Sequence, residues 1–246
     1  MNERPFRYGI YYEPPRRGEI PAVIGAKFLQ TLDALGRIDP LLANWNVLDR
    51  PALASLPLAV ARPRIAAIVQ NNVVRDDDNQ PAPEYGYWAT GVTDNAIPSR
   101  VVKFSFKGGG LIRDEIMLHV GGILNPTDPL ILKYRLFREA LLATSAIWQP
   151  TWACVAAIRR HYAEEPIVTG APLFPDSAFH IPWIAYVSPA RAVGLPLPAE
   201  IRTERAPDGG LLLTATDEPL DPTNPAHLRG ARIVAETMIA HVGYRS

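Results

Sequence analysis

The chain has 246 residues, 48% hydrophobic and 20% charged, so it has enough apolar material for one large domain or two small ones. The 25 Lys and Arg balance the 25 Asp and Glu, and no basic excess or stripe is visible, which disfavours direct nucleic-acid binding. The one cysteine, Cys154, excludes an intramolecular disulfide, and its apolar neighbours favour a buried, inert thiol.

The start of the chain lacks the features of an exported protein. Residues 1–17 contain no long apolar core and no small-residue cleavage site, so they do not resemble a secretory signal. No apolar run approaches the roughly 20 residues that are needed to span a bilayer. We therefore expect a soluble, cytoplasmic protein without a membrane partner.

An amphipathic helix leading to a tryptophan dominates the N-terminal part of the sequence. A first strand is expected over residues 6–12. The helix follows from apolar residues that recur every three or four positions, which places them on one face. They are Ile20, Ile24, Phe28, Leu32 and Leu35. Gly36 is typical of a helix end, and Asp39-Pro40 prevents further helix. Trp45 then begins a short strand or a loop that anchors in the core.

The middle of the chain is predicted to contain a second helix followed by strands. A helix is expected from Pro63 to Val73, and an aromatic-rich strand over residues 85–92. Residues 101–107 alternate between apolar and polar side chains, and residues 111–120 return with the same alternation. Gly108-Gly109-Gly110 lies between them, so the sequence predicts a β-hairpin.

The C-terminal part is predicted to follow the order helix, strands, helix. Asp128-Pro129 is typical of a helix start, and the apolar stripe continues to Trp148. Strands are expected over residues 152–158 and 183–187. Two further strands, 201–205 and 211–216, flank the turn signal Pro207-Asp208-Gly209-Gly210. A last amphipathic helix begins at Asn224-Pro225.

Because strands occur in consecutive runs, the sequence predicts an α+β fold with antiparallel sheets and packed amphipathic helices. Residues Phe28, Leu32, Ala34 and Ile38 match Phe137, Leu141, Ala143 and Ile147 at one constant offset. This echo suggests two similar α+β halves, residues 1–123 and 124–246. Whether the halves arose by duplication, and whether they pack as one compact unit, stays open.

No catalytic set stands out in the sequence. The five histidines lack the spacing of a helical metal pair, and Lys107 to Gly110 lacks the spacing of a phosphate-binding loop. A hydrolase that uses Ser177, or His161 with Glu164, remains an alternative, although Ser177 is not in a G-x-S-x-G elbow. We expect no catalytic residue, cofactor, metal ion or small-molecule substrate.

The densest charge cluster is Asp76-Asp77-Asp78, with Glu84 close behind it. Three readings stay open at this point. The first is a solvated loop, the second a set of oxygen ligands for a hard cation, and the third a patch that meets a basic partner.

Three hydrophobic motifs resemble immunity protein family 52. The first is Phe28-x3-Leu32-x2-Leu35-Gly36-x-Ile38-Asp39-Pro40-x4-Trp45. The second, residues 182–188, contains Trp183 and is similar to the family's second tryptophan strand. The third, residues 209–216 with 224–227, is similar to its closing strand and helix. The resemblance covers roughly residues 6 to 242, and its motif residues form the framework.

The resemblance implies the antidote half of a bacterial polymorphic toxin system. Members of the family are encoded beside toxins of a restriction-endonuclease-like nuclease class, some of which are delivered by type VI secretion. It therefore implies a cytoplasmic immunity protein that neutralises a cognate nuclease toxin by a protein–protein interface. An adaptor that binds a secretion component is a further alternative. The resemblance leaves open whether inhibition covers the toxin's active site or blocks its assembly.

Two clusters of aromatic and charged residues are the candidates for the toxin interface. Neither is part of the hydrophobic framework motifs. The first comprises Asp76, Asp77, Asp78, Glu84, Tyr85, Tyr87 and Trp88. The second comprises Tyr11, Tyr12, Arg16 and Arg17.

Overall fold

The structure is a computed structural model that describes residues 6–13, 18–110, 114–121, 127–159 and 180–242. Its described strands form one antiparallel sheet of ten strands in the order β3-β2-β4-β5-β6-β1-β7-β8-β10-β9. The strands are β1 (Phe6–Glu13), β2 (Trp45–Asp49), β3 (Ala54–Pro57), β4 (Tyr87–Thr93), β5 (Val102–Gly108), β6 (Glu115–Val120), β7 (Trp152–Arg159), β8 (His180–Val187), β9 (Arg202–Arg205) and β10 (Leu211–Thr214). The predicted α+β class is confirmed.

Helices of very different lengths pack on this sheet. They are α1 (Pro21–Ile38), α2 (Leu58–Ala61), α3 (Ile65–Asn71), α4 (Tyr134–Trp148), α5 (Pro189–Ala192) and α6 (Pro225–Val242). The prediction that Asp128 starts the fourth of these was wrong. Its carboxylate accepts a hydrogen bond from the Leu130 backbone N–H at 2.8 Å, which forms a separate turn, and α4 begins only at Tyr134.

The first strand in sequence lies at the centre of the sheet. β1 pairs with β6 on one side and with β7 on the other, so that Ile10 lies between Leu118 and Val155. The predicted hairpin is confirmed as the β5–β6 pair, with Phe104 opposite Leu118. Because β1 belongs to the N-terminal half and β7 to the C-terminal half, the sheet continues across the proposed boundary.

Helices α1, α3 and α4 cover the first face of the sheet. Phe28 of α1 packs against Phe104 with ring centroids 5.8 Å apart, and Trp148 of α4 stacks on Phe106 at 4.7 Å. The two helices are also joined directly, because the Trp148 indole N–H donates to the Thr31 hydroxyl at 2.8 Å. This buried bond fixes α1 against α4.

The described helices cover part of the second face of the sheet. Helix α6 packs against β8 and β10, and its Val234 and Met238 are buried with Trp152 and Leu213. No described helix packs on the side chains of β2, β4, β5 and β6 that point away from α1. We call this surface the open half-face.

The two halves share their helical stripe but differ in how their tryptophans are used. Phe28 and Phe137 both face the first-face core, in agreement with the repeated pattern. Trp45 at the start of β2 is buried in the same core, whereas Trp152 at the start of β7 is buried on the opposite face, beneath α6. The equivalence of the halves therefore ends where the helices lead into their strands.

Replacing Thr31 with valine tests the bond between α1 and α4. The side chain keeps its shape, but the buried Trp148 N–H loses its acceptor. We expect Thr31→Val to lower the free energy of unfolding by about 1–3 kcal/mol in urea denaturation, because an unsatisfied buried donor loses its solvation.

Thr237→Val is the matched control. Thr237 is also buried in a helix and also donates to a carbonyl four residues earlier, that of Ile233. Its hydroxyl accepts no described indole hydrogen bond, so we expect the smaller loss. Equal losses in the two variants would show that the Trp148 bond contributes nothing to stability.

Candidate functional site

The acidic residues lie in a loop with a defined turn. The segment that carries them leaves the sheet between two antiparallel bridges, Val73 with Tyr87 and Arg75 with Pro81. The Asp76 carboxylate accepts hydrogen bonds from the backbone N–H groups of Asp78 at 3.0 Å and Gln80 at 2.8 Å. This carboxylate therefore holds the turn in place. We call residues 76–80 the acid loop.

Glycines let the base of this segment approach the β5–β6 turn closely. A Cβ at Gly86, whose φ is +94°, would lie 2.3 Å from the Gly108 carbonyl oxygen. One at Gly110 would lie 2.4 Å from the Glu84 carbonyl oxygen. The triple glycine, which the sequence assigns to a hairpin turn, therefore has a second role. Without side chains, it leaves room for the backbone of residues 84–86 to pack against that turn.

The acids are solvent-exposed, as the sequence predicts. Asp76, Asp77, Asp78 and Glu84 are all exposed, and Tyr85 is 38% exposed. These exposed acids and Tyr85 lie on one segment of the chain, residues 76–85. Among the described residues, no group of three or more His, Cys, Asp or Glu side chains is arranged to hold a metal ion.

The structure places Tyr87 and Trp88 on opposite faces of β4. Tyr87 points toward the helices and is partly buried against the first-face core. Trp88 points the other way, onto the open half-face. The Arg50 guanidinium carbon lies 4.1 Å from the centroid of the Trp88 ring, and Lys107 Nζ lies 5.0 Å from it. Both distances are typical of cation–π contacts.

The second sequence candidate is not a single exposed cluster. Strand alternation places Tyr11 and Tyr12 on opposite faces of β1. Tyr12 is only 6% exposed and shares a hydrogen bond with the Thr144 hydroxyl, and burial raises the pKa of its phenol. The expectation that Tyr12 is exposed was wrong. Tyr11 is half-buried beside His119, and Arg16 and Arg17 lie outside the described residues.

Sequence reasoning missed two residues at the β2–β3 turn. Neither Arg50 nor Leu53 was among the residues predicted for the interface. In the structure, the Leu53 N–H donates to the Arg50 carbonyl at 3.0 Å and closes a tight hairpin turn. Leu53 has a φ of +50°, a left-handed conformation that usually requires glycine, and it is 95% exposed. Nothing in the one-letter sequence signals this strain.

The framework motif residues hold the corner between α1 and β2. The Trp45 indole N–H donates to the Leu42 carbonyl at 2.6 Å, and the Asp39 carboxylate accepts from the Leu41 N–H at 2.9 Å. Pro40 begins the short 3-10 helix, Pro40–Leu42, that connects α1 to β2. The prediction that the helix ends at Gly36 was wrong. Helix α1 continues to Ile38. Gly36 instead allows the backbone at Ala43 to pack closely against the helix, because a Cβ atom added at Gly36 would lie 3.3 Å from the Ala43 Cα.

The remaining framework residues are core residues. Phe28, Leu32 and Trp183 are at most 1% exposed. They can therefore define the fold but cannot contact a partner directly. This agrees with the reading of the motif as framework.

The groups that were considered for catalysis do not form a described site. Cys154 is buried, and burial raises the pKa of its thiol to about 12, so it is a poor nucleophile at neutral pH. Ser177, His161 and Glu164, which the hydrolase alternative requires, lie outside the described residues. Within the described part of the chain, no helix is long and apolar enough to cross a membrane.

The chain is thus an α+β protein with charged surfaces at one corner of a single antiparallel sheet. The family model of immunity protein 52 matches residues 6–243, nearly the whole chain, so the chain belongs to this family. The resemblance seen in its hydrophobic motifs is confirmed.

Comparison with other proteins adds little to this assignment. The solved structure of a Pseudomonas aeruginosa T6SS protein, PA0821, is similar over 94% of this chain and 72% of that one, with 12% identity and a TM-score of 0.49. A likeness at this level carries no functional argument. No curated protein matches the chain.

Leu53→Gly tests whether the exposed turn stores strain. Glycine adopts the left-handed conformation without a Cβ clash, and the lost side chain makes little packing because it is 95% exposed. We expect the free energy of unfolding to rise by about 0.5–1 kcal/mol. This gain is the strain energy that glycine relieves, reduced by the larger conformational entropy of glycine in the unfolded chain.

Leu53→Ala provides the control for this measurement. It removes the same exposed side chain but keeps the Cβ atom that causes the strain, so we expect no gain in thermal or urea stability. A gain of similar size for alanine would attribute the effect to lost apolar surface instead.

Proposed function

We propose that this protein is the antidote to a cognate nuclease toxin, which it binds and inhibits in the cytoplasm of the producing cell without catalysing a reaction. The match of the family model over residues 6–243 carries this proposal. In this proposal the toxin is of the restriction-endonuclease-like class and belongs to a polymorphic toxin system that is delivered by type VI secretion.

The surface charge of the molecule supports a binding mechanism. The acid loop presents Asp76, Asp77 and Asp78 to solvent, and Glu84 adds a fourth exposed carboxylate. A nuclease must carry a basic surface that holds the phosphates of its substrate. An acidic patch is complementary to such a surface and accelerates association by electrostatic steering. We propose that the acid loop and Tyr85 contact the toxin and exclude nucleic acid from its active site.

The first prediction of this proposal is a stable complex. The full chain, mixed with the isolated nuclease domain of the toxin encoded beside it, should coelute in size-exclusion chromatography at micromolar concentration. DNA cleavage should stop at equimolar antidote, because a specific interface of about 1,600 Å² supports tight, stoichiometric inhibition.

The negative control is the nuclease domain of a toxin from a different immunity family, which should not bind. Absence of a complex between the cognate pair at micromolar concentration would refute the proposed function. Binding to a secretion component, with the nuclease left active, would favour the adaptor alternative.

The second prediction concerns the acid loop. Reversing Asp76, Asp77 and Asp78 to lysine should lower the association rate constant about 10-fold or more at low salt, because steering depends on opposite charge. The dependence of that rate on ionic strength should weaken or reverse. Stopped-flow or surface plasmon resonance measurements at several salt concentrations provide the test.

A second triple variant controls for net charge. Asp94, Glu200 and Glu236 are also exposed, and they lie in other parts of the chain. Their reversal to lysine changes the net charge of the protein by the same amount. We expect their effect on the association rate to be much smaller, and equal effects would place the contact surface outside the acid loop.

A further inference from the structure

The open half-face carries a cluster of positive charge around one aromatic ring. Trp88 and Lys107 are directly opposite each other on β4 and β5, and Lys103 lies on the same face two pairs along β5. Arg50 reaches the Trp88 ring from the end of β2. We call Arg50, Trp88, Lys103 and Lys107 the cationic cluster.

The cluster lacks its counter-charge within the described chain. Arg50, Lys103 and Lys107 form no ion pair with any described carboxylate, although Glu115 lies opposite Lys107 in the strand register. The contacts that the structure does give Arg50 and Lys107 are to the face of an aromatic ring. Partial burial lowers the pKa of the Arg50 guanidinium, which reflects desolvation of a charge without an anionic partner.

The position of Arg50 is fixed by a buried amide. The Asn72 side chain accepts from the Arg50 backbone N–H at 2.9 Å and donates to the Leu48 carbonyl at 2.9 Å. Asn72 is 2% exposed, and its backbone carbonyl accepts a hydrogen bond from the Trp88 backbone N–H. The backbone at Arg50 and Trp88 is therefore held in place before any partner arrives, which lowers the entropic cost of binding.

The adjacent β2–β3 turn supplies an apolar contact beside this charge. Leu53 is 95% exposed and has a left-handed backbone that leucine adopts only at an energetic cost. Its turn is closed on the Arg50 carbonyl, so the leucine and the cluster belong to one corner of the sheet. Burial of this exposed leucine side chain against a partner would remove apolar surface from water and so favour binding.

The neighbouring acid loop indicates what kind of partner fits. Val73 pairs with Tyr87 and Asn72 bonds to Trp88, so the acid loop begins only a few residues beyond the cationic cluster. A nucleic acid that approached the cluster would meet these carboxylates and be repelled. A folded protein can present both signs of charge, and an acidic segment of it would satisfy the three cations.

We propose that the cationic cluster and Leu53 bind an acidic segment of the toxin, beside the basic surface that meets the acid loop. This inference rests on the proposed function, since it names a second contact in the same complex. Trp88 is the central anchor of the contact, and the acidic segment lies against Arg50 and Lys107.

The test compares two charge-reversal pairs in binding to the isolated nuclease domain. Arg50→Glu with Lys107→Glu should raise the dissociation constant by about 30-fold or more, because reversal turns two attractions into repulsions. The control pair is Arg229→Glu with Arg232→Glu on the exposed side of α6, which changes the net charge equally and should leave the constant within about threefold. Circular dichroism melting checks the fold of both variants.

Leu53→Gly gives a second, independent arm. It should weaken binding about 5- to 10-fold, the loss expected for removal of one buried aliphatic anchor. A weaker complex from a variant that folds normally cannot be ascribed to unfolding. Unchanged affinity of this variant would remove Leu53 from the contact.

Tryptophan fluorescence tests the wild-type chain directly. The other four tryptophans, Trp45, Trp148, Trp152 and Trp183, are at most 7% exposed, whereas Trp88 is partly exposed. Iodide should therefore quench Trp88 selectively, and the cationic cluster should favour iodide over caesium. Addition of the nuclease domain should protect Trp88 from iodide, and undiminished quenching in the complex would overturn the inference.

The outcomes separate the inference from the proposed function. If wild-type protein forms no complex, the proposed function fails. If it forms a complex that the Arg50 and Lys107 reversals do not weaken, only the cationic contact fails. The inference is also overturned if these reversals abolish self-association in sedimentation, or binding of a single-stranded oligonucleotide, without changing toxin affinity.

Discussion

The insertion of β1 between β6 and β7 is the constraint on which the rest of this structure depends. β1 is made first but pairs with strands more than a hundred residues away, so its position requires contacts of high sequence separation. The alternation in β1 places Tyr8, Ile10 and Tyr12 toward the helices, where all three are buried. Without this strand the two halves would be separate sheets, each with an additional exposed edge.

Joining the halves into one sheet creates more surface than the helices can cover. Ten strands at about 4.8 Å spacing make a sheet about 43 Å wide, whereas one helix is about 10 Å across. Helices α1, α3 and α4 all lie on the first face, and among the described helices α6 is the only long one on the second face, where it packs against β8 and β10. On the open half-face Trp88 and Lys107 are half-buried and Lys103 is exposed, whereas Thr90 and Ser105 between them are buried.

The sequence predicts the elements of this fold better than their arrangement. The stripe of α1 and the alternation of the β5–β6 hairpin are local patterns, and both are confirmed. Alternation tells which side chains share a face, but not which strand lies beside which, so the central position of β1 was not predictable. For the same reason the cationic cluster was missed, because Arg50, Trp88 and Lys107 come from three separate strands or turns.

Framework and recognition are divided between different residues in this protein. The residues that identify the family, such as Phe28, Leu32 and Trp183, are buried, so selection for folding is sufficient to explain them. The exposed corner holds opposite charges only a few residues apart, and a net charge of zero conceals that separation. In the proposed complex, such a surface would discriminate among related toxins, since a partner would have to match two patches of opposite sign at one spacing. In that complex, a toxin with the charge of either patch reversed would bring like charges together, which would disfavour the wrong partner.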